Sequence, residues 1–395
     1  MTKKIRVLVV DDSIFFRKVI SDKLSEFKNI EIIGFAVDAF DAKDKIIKLN
    51  PDVVTLDVEM PKLNGIDFLK QFIPTRPVRV VVVSALNISV FDALSAGAVD
   101  FVKKPELSTM GNISTFITEL YSKIVIASNA TIKPSSTNKP YEASVPPVST
   151  PVTRPASAPV PTPVTKPAST PAPVPAAPSA GSTPVPTPAT KPVLPVNLSK
   201  TSALSSTIIA IGASTGGTEA TLTVLKGLPS NIPGIVIVQH MPAGFTKMYA
   251  DRLNKLCKME VREAVDGDII HQGLALIAPG GDNQMKVVKQ GANYVVKLFP
   301  GEKVSGHRPS VDVLFQSVAE NVKTKSVGII MTGMGRDGAD GLLKMRKSGA
   351  FTIGQNKESC IVYGMPMVAY NIGAVYVEAS AENIPAVLLK HLSTL

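Results

Sequence analysis

The sequence predicts an α/β protein with two doubly wound, mostly parallel sheets joined by a long tether. Three observations carry this. Short β-branched runs alternate with stretches of helical spacing through both ends of the chain. Of the 32 prolines, 19 fall between residues 131 and 200. Polar and charged residues gather where the apolar runs end, the edge at which parallel sheets take their ligands.

In the first part, Ile5–Val10, Ile30–Ala36, Val53–Leu56, Val78–Val83 and Asp100–Lys103 read as strands. Ser13–Phe27, Asp41–Leu49, Phe68–Phe72, Val90–Ala96 and Met110–Ile126 read as the helices between and after them. Five such units make a parallel sheet with helices on both faces. Its strand ends carry Asp11-Asp12, Asp57, Ser84 and Lys104-Pro105. Three carboxylates at one edge repel unless a hard cation sits among them, and Mg²⁺ with oxygen ligands suits. A lysine and a hydroxyl opposite can hold the oxygens of a phosphoryl group. One polar strand end is ordinary solvation; five complementary residues at four ends are not.

The tether, residues 126–203, is rich in Pro, Ala, Ser and Thr and is expected to be extended and disordered. Its PxxP spacings fit a spacer, with partner recognition as the alternative. The net charge of +10 does not make a nucleic-acid site. Residues 1–130 carry 17 basic against 16 acidic groups, 131–200 carry 6 against 1, and 201–395 carry 19 against 15, giving +1, +5 and +4. Half the excess is thus spread along the tether, with no basic cluster or interleaved aromatics. Two cysteines, Cys257 and Cys360, are too few for a disulfide framework or a cysteine-built metal site. No signal-peptide core opens the chain and no apolar run reaches membrane-spanning length, so a soluble cytoplasmic protein without membrane insertion is expected.

In the last part, Ile208–Ile211 reads as a buried strand that breaks at Gly212 and passes through Ser214 into a helix over Thr218–Leu228. The Gly212–Gly216 spacing fits a nucleophile elbow and equally a glycine-rich phosphate-binding turn. Ile235–Val238 ends at Gln239-His240-Met241-Pro242, Leu274–Ala278 at Pro279-Gly280-Gly281, and Ser326–Met331 runs into Thr332–Asp340. Ser214, His240 and Asp337 therefore each follow a strand's carboxyl end, where three side chains can meet. A serine hydroxyl needs a base, and a histidine base needs a carboxylate to fix its tautomer. Ser214 as a helix cap, Asp340 in place of Asp337 and His307 in place of His240 are the competing assignments. His391 is placed in a polar C-terminal helix and His271 in a hairpin-like Asp-Gly region.

These residues carry two resemblances. Residues 1–125 resemble the receiver domain of two-component response regulators, which implies a flavodoxin-like sheet. On that resemblance Asp57 is the phosphoacceptor, Asp11, Asp12 and Asp57 hold Mg²⁺, and Ser84, Phe101 and Lys104 are the switch residues, with a usually cis bond before Pro105. Residues 204–395 resemble the catalytic domain of the chemotaxis protein-glutamate methylesterase family on Gly212–Gly217, Gln239–Pro242, His307–Phe315 and Thr332–Gly341. That resemblance implies Ser214, His240 and Asp337 as the triad, with N–H groups near Thr215 and Met334 holding the oxyanion. It further implies demethylation of glutamate methyl esters on chemoreceptors with release of methanol, and deamidation of receptor glutamines, without a cofactor for the ester reaction. A chemotaxis histidine kinase is the implied phosphodonor, methylated chemoreceptors are the substrate, and a monomer is expected.

Overall fold

A computed structural model describes residues 3–84, 89–105, 113–132 and 202–395. Residues 133–201, which include most of the expected tether, lie outside the described residues.

The N-terminal elements are β1 (Ile5–Val10), α1 (Ile14–Ser25), β2 (Ile30–Ala36), α2 (Ala39–Leu49), β3 (Val53–Asp57), α3 (Gly65–Phe72), β4 (Val80–Ser84), α4 (Ser89–Ser95), β5 (Asp100–Lys103) and α5 (Ile113–Ser128). The strands form one parallel sheet in the order β2-β1-β3-β4-β5. Side-chain oxygens start the helices where the sequence supplies them: Ser13 accepts from Phe16 N–H, Asp38 from Phe40 and Asp41 N–H, and Asn64 from Asp67 N–H. β3 and β4 are buried along their whole lengths, which is why they read as unbroken apolar runs. α5 begins at Ile113; the expected start at Met110 lies outside the described residues.

The C-terminal elements are α6 (Ser202–Ser205), β6 (Ile208–Ala213), α7 (Gly217–Lys226), β7 (Gly234–Gln239), α8 (Phe245–Leu256), β8 (Glu260–Glu263), β9 (Leu274–Ile277), β10 (Asn283–Gln290), β11 (Asn293–Pro300), α9 (Val311–Asn321), β12 (Ser326–Ile330), α10 (Ala339–Lys347), β13 (Phe351–Gln355), α11 (Met365–Asn371), β14 (Val377–Ala379) and α12 (Ile384–Leu392). Seven strands pair in parallel in the order β14-β13-β12-β6-β7-β9-β8. β10 and β11 form a separate antiparallel hairpin.

The two-residue period of a strand sorts this sheet's core. Ile209, Ile211, Ile235 and Ile237 pack with Leu222, Leu225, Tyr249 and Leu388 on one face. Ile208, Ala210, Val236 and Val238 pack with Val311, Leu314, Phe315 and Val318 on the other. From β6 the chain winds outward to β7 and later returns to place β12 on the opposite side. That reversal is the topological switch point, and ligands of open α/β sheets bind there.

The first core layer continues into the N-terminal sheet. Phe91 of α4 stacks on Tyr249 of α8 with centroids 5.6 Å apart, and Phe101 of β5 meets Phe245 at 4.7 Å. Arg252 of α8 lies over the Phe91 ring and donates to Ser95 Oγ at 2.6 Å.

Several elements differ from expectation. β8 is an edge strand of sequence Glu-Val-Arg-Glu and β14 has three residues, too short and polar to read as strands. The helix bearing His391 is amphipathic, not polar: it buries Ile384, Leu388 and Leu392, and His391 stacks on Phe351. His271 is exposed, after the turn at positive-φ Gly267. Among the described residues the cis X–Pro bond is Arg308–Pro309, not Lys104–Pro105.

Gly212 shows how tightly the switch point is built. A Cβ there would lie 2.1 Å from Val311 Cγ1, at the first residue of α9. Gly212→Ala should cost about 1–3 kcal/mol by overpacking. Thermal melts of the variant beside the parent chain check this, and an unaltered melting temperature would contradict it.

Candidate active site and phosphoacceptor site

At the carboxyl edge of the N-terminal sheet, Asp57 closes β3 and Asp11 follows β1. Carboxylate oxygens of Asp11, Asp12 and Asp57 lie within 4.8 Å of one another, the oxygen-only donor set a hard divalent cation takes. Lys104, after β5, places Nζ 2.5 Å from Asp57 Oδ2 and 2.9 Å from Asp11 Oδ2. Burial pushes the Asp57 carboxyl up to about 6, with Lys104 pulling against it. Ser84 is buried at the end of β4, and its carbonyl accepts from Lys104 N–H at 2.7 Å. Phe101 is buried in β5 beneath the same edge.

At the switch point, backbone bonds tie the tails of β6, β7 and β12 together. Ser214 N–H donates to Thr332 C=O at 3.0 Å and His240 N–H to Ala213 C=O at 3.1 Å. The turn through Ser214 needs Gly216 at φ +77, where a Cβ would meet Ile361 at 2.7 Å. Gln239 fills the hollow over this turn: its Nε2 donates to Ser214 C=O at 2.9 Å. A Cβ on Gly217 would lie 2.4 Å from Gln239 Oε1, so the space a phosphate-binding turn keeps open is occupied. Gly333 lies against Ser214, with a built Cβ 2.6 Å from Ser214 Cβ, and brings Met334 alongside the serine. Neither Thr215 N–H nor Met334 N–H donates a hydrogen bond among the described residues. Thr215 is buried and Met334 is 42% exposed.

His240 Nε2 lies 2.8 Å from Asp337 Oδ2. A carboxylate only accepts, so Nε2 carries the proton and Nδ1 presents the lone pair. That Nδ1 is buried and has no hydrogen-bond partner. Ser214 and His240 line one cavity of about 10 Å³, enough for roughly one water. Leu94 of α4 and Asp100 and Phe101 of β5 line it too, and Thr215 Oγ1 donates a hydrogen bond to Asp100 Oδ2. Lys123 of α5 pairs with the same oxygen at 2.7 Å.

Asp337 is 1% exposed and held by α9. Ser310 Oγ donates to its Oδ1 at 2.7 Å, Val311 N–H to Oδ2 at 2.8 Å and Asp312 N–H to Oδ1 at 3.0 Å. Burial works to raise this carboxyl, but His240, Ser310 and the Asp312 N–H together hold it below the ordinary carboxylate range. Asp340, the competing carboxylate, is half-exposed and paired with Arg336 at 2.7 Å. His307 makes no bond to Asp337; it stacks on His240. The α9 donors were missed in the sequence, although Ser310 before an apolar helical run is a capping signature.

A parallel sheet with a buried carboxylate cluster and a lysine at its edge, joined to a second α/β sheet with Ser, His and Asp at its switch point, defines a class: a receiver-type module fused to a hydrolase-type module. Comparison with known proteins is specific. The model of the response regulator receiver domain matches residues 7–112 and that of the CheB methylesterase matches 209–388. The chain is 44% identical over 393 residues to a protein-glutamate methylesterase/protein-glutamine glutaminase of Syntrophomonas wolfei, covering 100% of this chain and 99% of that one. It is likewise 44% identical to the corresponding protein of Sulfurimonas denitrificans, over 98% of this chain and 99% of the relative. The solved CheB methylesterase catalytic domain of Thermotoga maritima is 38% identical, with a TM-score of 0.46 over 47% of this chain and 98% of that structure. The chain belongs to the protein-glutamate methylesterase/protein-glutamine glutaminase family of chemotaxis response regulators and is a hydrolase.

Asp312 sits beside Asp337, and burial pushes its carboxyl up to about 6, with Asp337's charge adding to the rise. Its folded value thus lies above the unfolded value of about 3.9. Such a group costs stability that is absent below the unfolded value and fully present above the folded one. Asp312→Asn, whose side-chain oxygen can still accept from Gly341 N–H, should therefore gain stability relative to the parent chain as pH rises from 4 to 7. Melting curves across that range check it; a difference that shrinks with rising pH would contradict it.

Proposed function

We propose that this chain removes methyl groups from glutamate γ-esters of chemoreceptors, and amide nitrogen from receptor glutamines, through a Ser214 acyl-enzyme gated by phosphorylation of Asp57. The observation that supports it most is the buried His240–Asp337 pair beside Ser214 at the switch point. His240 Nδ1 takes the Ser214 proton as Oγ attacks the ester or amide carbonyl, then gives it to the leaving methoxy oxygen or amide nitrogen as the C–O or C–N bond breaks, releasing methanol or ammonia and leaving the acyl-enzyme. Water then repeats the sequence and releases the glutamate carboxylate. Asp337 holds the Nε2–H tautomer and steadies the imidazolium, the roles played in the general triad with the two ring nitrogens exchanged. Thr215 and Met334 N–H groups, which donate to no other group among the described residues, would donate to the oxyanion.

In this reading residues 1–125 are the receiver, 126–203 the tether and 204–395 the esterase, acting in the cytoplasm as a monomer with a histidine kinase as phosphodonor. Asp11, Asp12 and Asp57 would hold Mg²⁺, which when bound offsets charge at the acyl phosphate. In this reading the esterase centre works without a cofactor: its side chains supply nucleophile and base, and backbone N–H groups the oxyanion donors. Asp100 and Phe101 close the Ser214 cavity, so the ground state described here is an inhibited one. Phosphorylation acts if the acyl phosphate draws on Lys104 and Ser84 and loosens Phe101 from Phe245. A long tether lowers the effective concentration of the two modules, so inhibition should be partial.

Ser214→Ala and His240→Ala should each lower methanol release from methylated receptor on the order of 10³-fold or more, because triad members act as a unit. Loss in neither would end the triad reading. Asp57→Asn should abolish Mg²⁺-dependent labelling by acetyl phosphate and leave methanol release at its basal value with or without phosphodonor. Persistent labelling would place the acceptor on another carboxylate.

A further inference from the structure

His307 lies face to face on His240, with ring centroids 3.6 Å apart and planes 8° from parallel. Its backbone is pinned on both sides. Val304 and His307 exchange N–H···O=C bonds of 3.0 and 2.9 Å across Ser305-Gly306, both at positive φ, a tight two-residue hairpin. On the other side Arg308 donates to Gly281 C=O at 3.0 Å and Gly301 C=O at 2.9 Å, and pairs with Asp282. Two residues further on, Ser310 caps α9 and binds Asp337. The ring is thus held on a rigid pedestal. His240 is held differently. Its ring has one hydrogen bond, at Nε2, and one bond at the end of a ring leaves rotation about that axis unrestrained.

We propose that His307 is a positioning residue for His240: by stacking, its ring fixes the plane of the imidazole so that Nδ1 is presented to Ser214, and it transfers no proton itself. The inference rests on reading His240 as the general base. The electrostatics agree. Burial, then the charges of His240, Lys123 and Lys303, push the His307 imidazole down to about 4, against the opposing pull of Asp337. At neutral pH it is therefore an uncharged ring. When His240 takes the serine proton, the cation finds an aromatic face beside it and not a second cation. A proton shuttle so hard to protonate would be a poor one.

The test uses the full chain with Mg²⁺ and acetyl phosphate, reading methanol release from receptor carrying labelled methyl esters. His307→Phe keeps a flat ring without nitrogens; His307→Gln keeps polarity without the ring. His307→Tyr replaces the Phe variant if that chain does not fold. The ring-bearing variant should stay within threefold of the parent kcat, with the same pH profile. His307→Gln should lose tenfold or more in kcat at unchanged KM and melting temperature. A ring-bearing variant as slow as His307→Gln, or one whose pH profile loses a limb, would show that a nitrogen of His307 acts and would overturn the proposal. So would a Gln variant within threefold of the parent, or one whose loss follows a lowered melting temperature. His240→Ala is run in parallel. If it stays active the base assignment itself has failed, whereas a dead His240→Ala beside an unaffected Gln variant sinks only the role of His307.

Discussion

The carboxyl edge of the C-terminal sheet depends on one buried charge, the Asp337 carboxylate at the N-terminus of α9. Taking an ion out of water costs several kcal/mol even after relaxation. Here four donors offset that cost: the Ser310 hydroxyl, two backbone N–H groups and His240. The N-terminal end of a helix adds a favourable field. α9 must therefore sit where its first turn reaches the end of β12, and Gly212 is the residue that lets it approach β6. The order of the strands, the absence of a side chain at 212 and the tautomer of His240 are consequences of the same placement.

The same edge explains how a second sheet can control it. Ser214 is buried, and the cavity it shares with His240 admits about one water and no ester. The walls that close it come from β5 and α4, a few residues from the carboxylate edge of the N-terminal sheet. Phe101 belongs to both places: it follows Asp100, which Thr215 grips, and precedes Lys104, which Asp57 grips. A ligand shifts an equilibrium only by its differential affinity for two states. A phosphoryl group on Asp57 would compete for Lys104 directly, so the bias has a local origin.

Much of this was legible in the sequence because polar residues interrupt apolar runs at known edges. Asp11, Asp57, Ser84 and Lys104 each end or follow a strand that reads as buried; in the other sheet Ser214 and His240 directly follow β6 and β7, and Asp337 lies in the loop after β12. What escaped was held by contacts distant in sequence. The tie of Asp337 to Ser310 spans 27 residues and that of Thr215 to Asp100 spans 115. No periodicity reports such pairings. β8 and β14 escaped because edge strands are short or half-polar, and the interior β13, Phe-Thr-Ile-Gly-Gln, because Thr, Gly and Gln break its apolar run. His307 was visible as a competitor for the base; that it lies on the base is a fact of packing.

In the proposed function Ser214 is a nucleophile whose reach is set by the state of Asp57. A fluorophosphonate that reacts only with activated serines tests this most directly, with the modified residue identified by peptide mass spectrometry. Label should fall on Ser214 and be acquired faster when Mg²⁺ and acetyl phosphate are present, with the acceleration absent in Asp57→Asn. Label on another residue, or equal rates with and without phosphodonor, would contradict it.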